Sequence, residues 1–161
     1  MFGLWTKLII IKKMKSIILF FLLGLSFSYN ANKAVSFART YCKNYHNSYK
    51  NYRDTYGDNS NFVSQCLIAG GQDLNGCIGL DGYGCIYLPN NLKSCLTLKG
   101  WKSQKGMPNE FKAGYPFFNG RKGMIATSVE GNTIKYCSHT FDKCDATINA
   151  DTSFYYYYLE Y

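Results

Sequence analysis

The apolar positions of this chain recur at helical spacing in three stretches and then change to the shorter rhythm of strands. Ala34, Ala38, Tyr41, Cys42 and Tyr45 share one stripe and predict a first helix from about Asn32 to Tyr45. Phe62, Val63, Cys66 and Leu67 predict a second that begins directly after Asp58, a residue type that caps helix N-termini, and stops at Gly70-Gly71. Leu92, Cys95 and Leu96 predict a third from about Asn91 to Lys99, ended by Gly100. The polar stretch from Asn44 to Tyr56 reads as a surface loop, and Asp73 to Asn91, with glycines at 76, 79, 82 and 84, as a turn-rich excursion.

Beyond Gly100 the pattern is strand-like. Met124 to Val129 and Thr133 to Cys137 predict two strands joined through Glu130-Gly131-Asn132 as a hairpin. The closing run Phe154-Tyr155-Tyr156-Tyr157-Tyr158-Leu159 suits a terminal strand of the same sheet, since aromatic residues favour a pleated, half-buried surface. Helices first and antiparallel strands afterwards predict an α+β domain.

The N-terminus has a different rhythm. Lys12, Lys13 and Lys15 precede the apolar run Ile17 to Leu25, and small residues follow at Ser26 and Ser28, so residues 1–28 read as a secretory signal peptide. The uncharged run from Ser16 to Phe27 is short of the roughly 20 residues that span a bilayer, so no stable membrane span is expected once the leader is removed. Residues 29–161 are enough for one domain with a single core. The expected location is outside the cell or in the endomembrane lumen.

Composition adds two constraints. Of the formal charge of +8, four lysines (7, 12, 13 and 15) belong to the leader, which leaves a mildly basic domain. Its Lys and Arg residues are scattered between tyrosines and carry no nucleic-acid-binding motif, so no nucleic-acid partner is expected. The seven cysteines all lie beyond the leader, as in disulfide-stapled exported domains. Cys77 with Cys85 and Cys137 with Cys144 are close enough in sequence to close local loops, although spacing leaves the pairing open. An odd count leaves a free or intermolecular thiol, for which Cys66, on the apolar stripe of the second helix, is the candidate. The cysteines are too dispersed for a zinc site, and no cofactor or metal is expected.

The residues with the most chemistry in them are Asp58 and Asn61-Phe62-Val63-Ser64-Gln65. They match the motif Asp-Cys-x-Asn-Phe-Val-Ser-Gln, and the chain resembles the putative amidase domain family within the papain-like, NlpC-type cysteine peptidases through nearly the whole region after the leader. Ala34-Val35-Ser36-Phe37-Ala38 resembles that family's first helix; Lys112-Ala113-Gly114-Tyr115-Pro116 and Met124-Ile125-Ala126-Thr127 resemble the approach to its catalytic-histidine strand; Tyr136-Cys137-Ser138-His139-Thr140 resembles the strand after it. The resemblance implies a papain-like fold with N-terminal helices packed on a C-terminal antiparallel sheet.

Thiol amidases place a thiolate at a helix N-terminus, where the dipole and backbone N–H groups favour it. A histidine takes and returns the proton, and a third polar group orients that histidine. The resemblance puts these roles at positions 59, 122 and 139, which here hold Asn59, Lys122 and His139. Asparagine cannot act as a thiol nucleophile, and a solvated lysine is a poor base at neutral pH. Ser60 is the nearest replacement nucleophile, although one residue along a helix is about 100° of rotation, which is expected to turn its hydroxyl from the cleft. His139 reads equally as a structural histidine, and His46 is expected at the surface.

Three functions follow as expectations. The first is a non-hydrolytic binder of a peptide or a peptidoglycan-derived amide ligand in the remnant cleft. The second is an amide hydrolase using a relocated nucleophile such as Ser60. The third is a structural cell-surface or coat protein, suggested by the 15 tyrosines and the odd cysteine; the same tyrosines also suit plain sheet and surface packing, or a platform for stacking against sugars or a partner surface.

Overall fold

A computed structural model describes residues 28–160, so the predicted leader lies outside the described residues except for Ser28. Three helices come first: α1 (Ala31–Tyr41), α2 (Asn59–Ala69) and α3 (Pro89–Leu98). Six strands follow: β1 (Lys102–Lys105), β2 (Pro116–Asn119), β3 (Lys122–Glu130), β4 (Thr133–Ser138), β5 (Lys143–Asn149) and β6 (Tyr155–Tyr158). They form one antiparallel sheet in the order β1-β6-β2-β3-β4-β5. The expected α+β class and the helices-then-sheet layout are what the structure has.

The helix ends follow local chemistry. Asn30 caps α1 by accepting from the Lys33 amide at 3.1 Å. Gly70 sits at the C-cap of α2 and Gly71 takes the positive φ that ends it, as expected for a Gly-Gly stop. The first helix is shorter than expected: it stops at Tyr41, and Cys42 at its C-cap is bonded to Cys144 on β5.

The central helix is α2. Every residue from Asn59 to Leu67 is buried, polar ones included, so it is enclosed on all sides rather than laid on a surface. Its buried polar residues act as struts. Asn61 Nδ2 donates to the Lys50 carbonyl at 2.8 Å, and Ser64 Oγ accepts from the Ile86 amide at 3.1 Å, fastening two loops to the helix. On the sheet side, a Cβ added at Gly123 of β3 would come within 3.2 Å of Val63 Cγ2 and 3.0 Å of the Phe118 ring, so any larger residue would push these side chains back by a few tenths of an ångström. Phe62, Trp101, Tyr115, Phe117, Phe118 and Tyr156 fill the core between helices and sheet.

The disulfides are Cys42–Cys144 and Cys77–Cys95, which corrects the local pairings that sequence proximity suggested. Cys137 points into the core while Cys144 faces the end of α1, and Cys85 is drawn inward beneath a turn in which the Asp81 amide donates to its carbonyl at 2.8 Å. Cys66, Cys85 and Cys137 are free and buried, so the thiol expected at Cys66 has two companions. His46 is also corrected: it is half-buried, packed among Phe37, Tyr41 and Tyr49, because the polar loop folds back on α1. Among the described residues no helix is long and apolar enough to cross a membrane.

Candidate functional site

The start of α2 meets the end of β4, and two pairs of motif residues meet there. Asp58 holds the N-cap position, but its carboxylate caps no helical amide. This corrects the capping role expected of it: one carboxylate oxygen accepts from the Tyr52 amide and from Asn61 Nδ2, both at 2.8 Å, and the other faces His139 Nδ1. The opposite ring nitrogen donates to the Tyr41 carbonyl at 2.8 Å. The imidazole is sandwiched between Phe62 and Tyr45, with ring centroids 4.0 and 4.5 Å away. Both side chains of the Asp58–His139 pair are 1% exposed. With each nitrogen facing a protein oxygen, no lone pair of His139 is directed at a ligand. It joins the end of α1, the start of α2 and the end of β4.

The second pair is Asn59 with Ser138. Asn59 is the first residue of α2, and its side-chain oxygen accepts from Ser138 Oγ at 2.9 Å, both residues being buried. Asn59 also lines a cavity of about 520 Å³, within the usual size of small-molecule sites. Ser60 lines it too, which corrects the expectation that helical rotation removes Ser60 from the cleft: the cavity wraps around the helix end instead of meeting a single face.

The cation at this cavity is Arg121, not Lys122. Asn119 and Lys122 pair across β2 and β3, leaving Gly120-Arg121 as a two-residue turn, with Gly120 at φ 57°. A positive φ at the first central position belongs to the type II′ hairpin turn and suits glycine. Lys93 Nζ of α3 donates to the Gly120 carbonyl at 2.8 Å and tethers the turn, and Arg121 lines the cavity. Since position 123 faces α2, strand alternation turns Lys122 to the other side of the sheet, where it is exposed. The Lys122 side chain makes no hydrogen bond or ion pair among the described residues, so the structure joins Asp58 with His139 and Asn59 with Ser138 and leaves Lys122 out of both pairs. Arg121 and Ser138 escaped the sequence reading; the Asn119-Gly120 dipeptide was the available signal for a turn that would present Arg121.

The α3 N-terminus also borders the cavity through Leu88, Pro89, Asn90 and Asn91. Two helix N-termini and a guanidinium give it a positive potential that favours a carbonyl oxygen or an anion. No thiolate is at hand: burial pushes the thiols of Cys66 and Cys137 up and that of Cys85 up to about 12, and none of the three lines the cavity. Among the described residues no group of three or more His, Cys, Asp or Glu could hold a metal ion.

Comparison with known proteins agrees with the motif around α2. No curated protein and no solved structure matches the chain. A family model does, over residues 28–113, more than half of the chain. That stretch contains α1, α2, α3 and β1, and hence Asp58, Asn59 and Ser60; positions 122 and 139 lie beyond it. The chain belongs to the family described as "Putative amidase domain".

Proposed function

We propose that this domain binds an amide-bearing ligand, a peptide or a peptidoglycan-derived fragment, in the cavity at the start of α2 without hydrolysing it, and that it acts outside the cell or in the endomembrane lumen. One observation carries the reading: at the helix N-terminus where a thiol enzyme of this family would hold its nucleophile, Asn59 lines the cavity and is fixed by Ser138, while the neighbouring histidine has both nitrogens committed elsewhere. An amide and a guanidinium beside two helix N-termini can hold a carbonyl or carboxylate, but they supply neither a nucleophile nor a base.

Ser60 gives a second reading some footing, because it lines the same cavity. Attack by its hydroxyl would require a base, and the basic side chain beside it is Arg121, which stays protonated in proteins. Binding is therefore the better reading.

The test is an incubation of the purified domain with peptidoglycan and with a panel of amide substrates. The expected outcome is retention on the cell-wall material with no release of amine. Turnover that disappears in Ser60→Ala would replace binding with the second reading. Asn59→Cys combined with Lys122→His, or with Arg121→His, tests the position itself. A thiol at residue 59 with an imidazole in reach is expected to yield measurable amide hydrolysis in one of the two combinations, and two well-folded, silent variants would overturn the assignment of residue 59.

A further inference from the structure

We propose that the tyrosine wall of this cavity is a sugar platform and that the ligand is a pyranose bearing a carboxylate. The proposal rests on the binding reading above and specifies its ligand.

The wall is a cluster of three rings, two of them stacked. Tyr52 is buried, its hydroxyl donates to Asp81 at 3.0 Å, and Lys50 Nζ lies 5.0 Å from its ring centroid. Tyr87 lies parallel to it, with centroids 4.4 Å apart and planes 15° apart. Tyr56 packs against the side of this pair, 5.1 Å from Tyr87 and tilted 38° to it. Tyr56 and Tyr87 line the cavity, and Tyr56 is 66% exposed. An exposed ring already packed against two others costs little to immobilise on binding. Its π face attracts the slightly positive C–H face of a pyranose, which is flat and about one ring wide.

The remaining lining residues choose among ligands that could stack on that wall. Asn90 and Asn91 stand at the first turn of α3 and make no hydrogen bond with another described side chain. Each amide offers two donors and an acceptor, which matches the paired hydroxyls around a sugar ring. Arg121 is exposed, lines the cavity and forms no ion pair among the described residues. A guanidinium holds a carboxylate through two parallel N–H donors. Leu88 and Pro89 add some apolar lining, but an apolar peptide side chain would leave Asn90, Asn91 and Arg121 unused, whereas an acidic sugar finds a stacking face, amides and a cation.

Two acidic sugars of different origin serve as probes: N-acetylmuramic acid, with its lactyl carboxylate, for cell-wall glycan, and glucuronic acid, with a ring carboxylate, for other acidic polysaccharides. N-acetylglucosamine is the neutral control. Titration followed by protein-observed NMR is expected to show saturable binding of at least one acidic sugar, about tenfold tighter than the neutral one. Tyr56→Ala is expected to weaken binding of that sugar about tenfold. Arg121→Gln is expected to remove the preference for acid while leaving the neutral sugar within about twofold. Both residues are exposed, so the variants keep the fold. Equal affinity in Tyr56→Ala, or no acid preference in the unmodified domain, overturns the proposal. Binding of a sugar-free stem peptide with no pyranose binding also overturns it and leaves the binding reading standing. The monosaccharides contain no peptide bond, so their affinities decide the proposal even if amide turnover were to overthrow that reading.

Discussion

At the residue scale the most consequential contact is Asp58 with His139, a pair with side chains 1% exposed and separated by 81 positions in the chain. Removing one member of a buried ionisable pair typically costs about 3–5 kcal/mol, because the other is left buried without its partner. His139→Ala also opens the space between Phe62 and Tyr45 and strips the Tyr41 carbonyl of its donor. Asp58→Asn is expected to cost less. The amide keeps an oxygen for the Tyr52 amide and can donate an N–H to His139 Nδ1, with the other ring nitrogen still donating to Tyr41. Urea unfolding of both variants checks this order, and a smaller loss for His139→Ala than for Asp58→Asn would refute the structural role given to the histidine. The sequence identified these residues but not their partnership. Composition and motif single out Asp58, Asn59 and His139, whereas the choice of Asp58 over Asn59 as the histidine's partner is made by how β4 meets α2, which no local pattern encodes. Lys122 shows the same gap on a shorter scale: the hairpin turn presents Arg121 to the cavity, while the first strand position after it turns Lys122 to the other face of the sheet.

At the scale of elements the two disulfides differ in what they constrain. Cys42–Cys144 spans 102 positions and fastens the end of α1 to β5, while Cys77–Cys95 spans 18 and fastens the turn-rich excursion to α3. In the loop-closure view a cross-link of ~100 residues stabilises by about 4.7 kcal/mol and one of ~15 by about 3. Replacing Cys42 and Cys144 by serine is therefore expected to lower unfolding stability more than replacing Cys77 and Cys95, measured as the free energy from urea titration of the two double variants. A larger loss for the short loop would mean that local strain or residual unfolded structure outweighs chain entropy. The same distinction between local and distant constraint explains which strands were readable. The β3–β4 hairpin was legible because alternating apolar residues flank Gly131, which takes φ 56° in the turn. β1, Lys102–Lys105, was not, since all four residues are exposed and only its pairing with β6 makes it a strand. β2, Pro116–Asn119, is buried on both faces over three residues, so it shows no alternation, and β5 alternates only between exposed and half-buried positions.

At the scale of the whole molecule, the buried thiols and phenols set a limit on stability at high pH. Burial pushes up the thiols of Cys66 and Cys137 and the phenols of Tyr156 and Tyr157, and it takes Cys85 and Tyr52 up to about 12. In the unfolded chain thiols lose their protons near pH ~8.5 and phenols near ~10. Between those values and about 12 the folded state therefore holds more protons than the unfolded one, and stability falls as pH rises. The contribution of these groups is complete below the unfolded thiol value and is lost progressively on the way to the folded ones. Carboxylates work at the other end of the scale: Asp73, through the Asn75 amide, and Asp145, through Thr127 and Arg39 against its burial, are held below the usual range, so their contribution is lost on acidification. The urea midpoint is expected to be level from about pH 5 to 8 and to decline from about pH 9 upward. Ultraviolet titration of phenolate in the folded protein should meanwhile lag behind that of the urea-unfolded chain. A level midpoint from about pH 8 to 11 would mean that these groups reach solvent in the folded state, against the burial that places Cys66, Cys85 and Tyr52 inside the core.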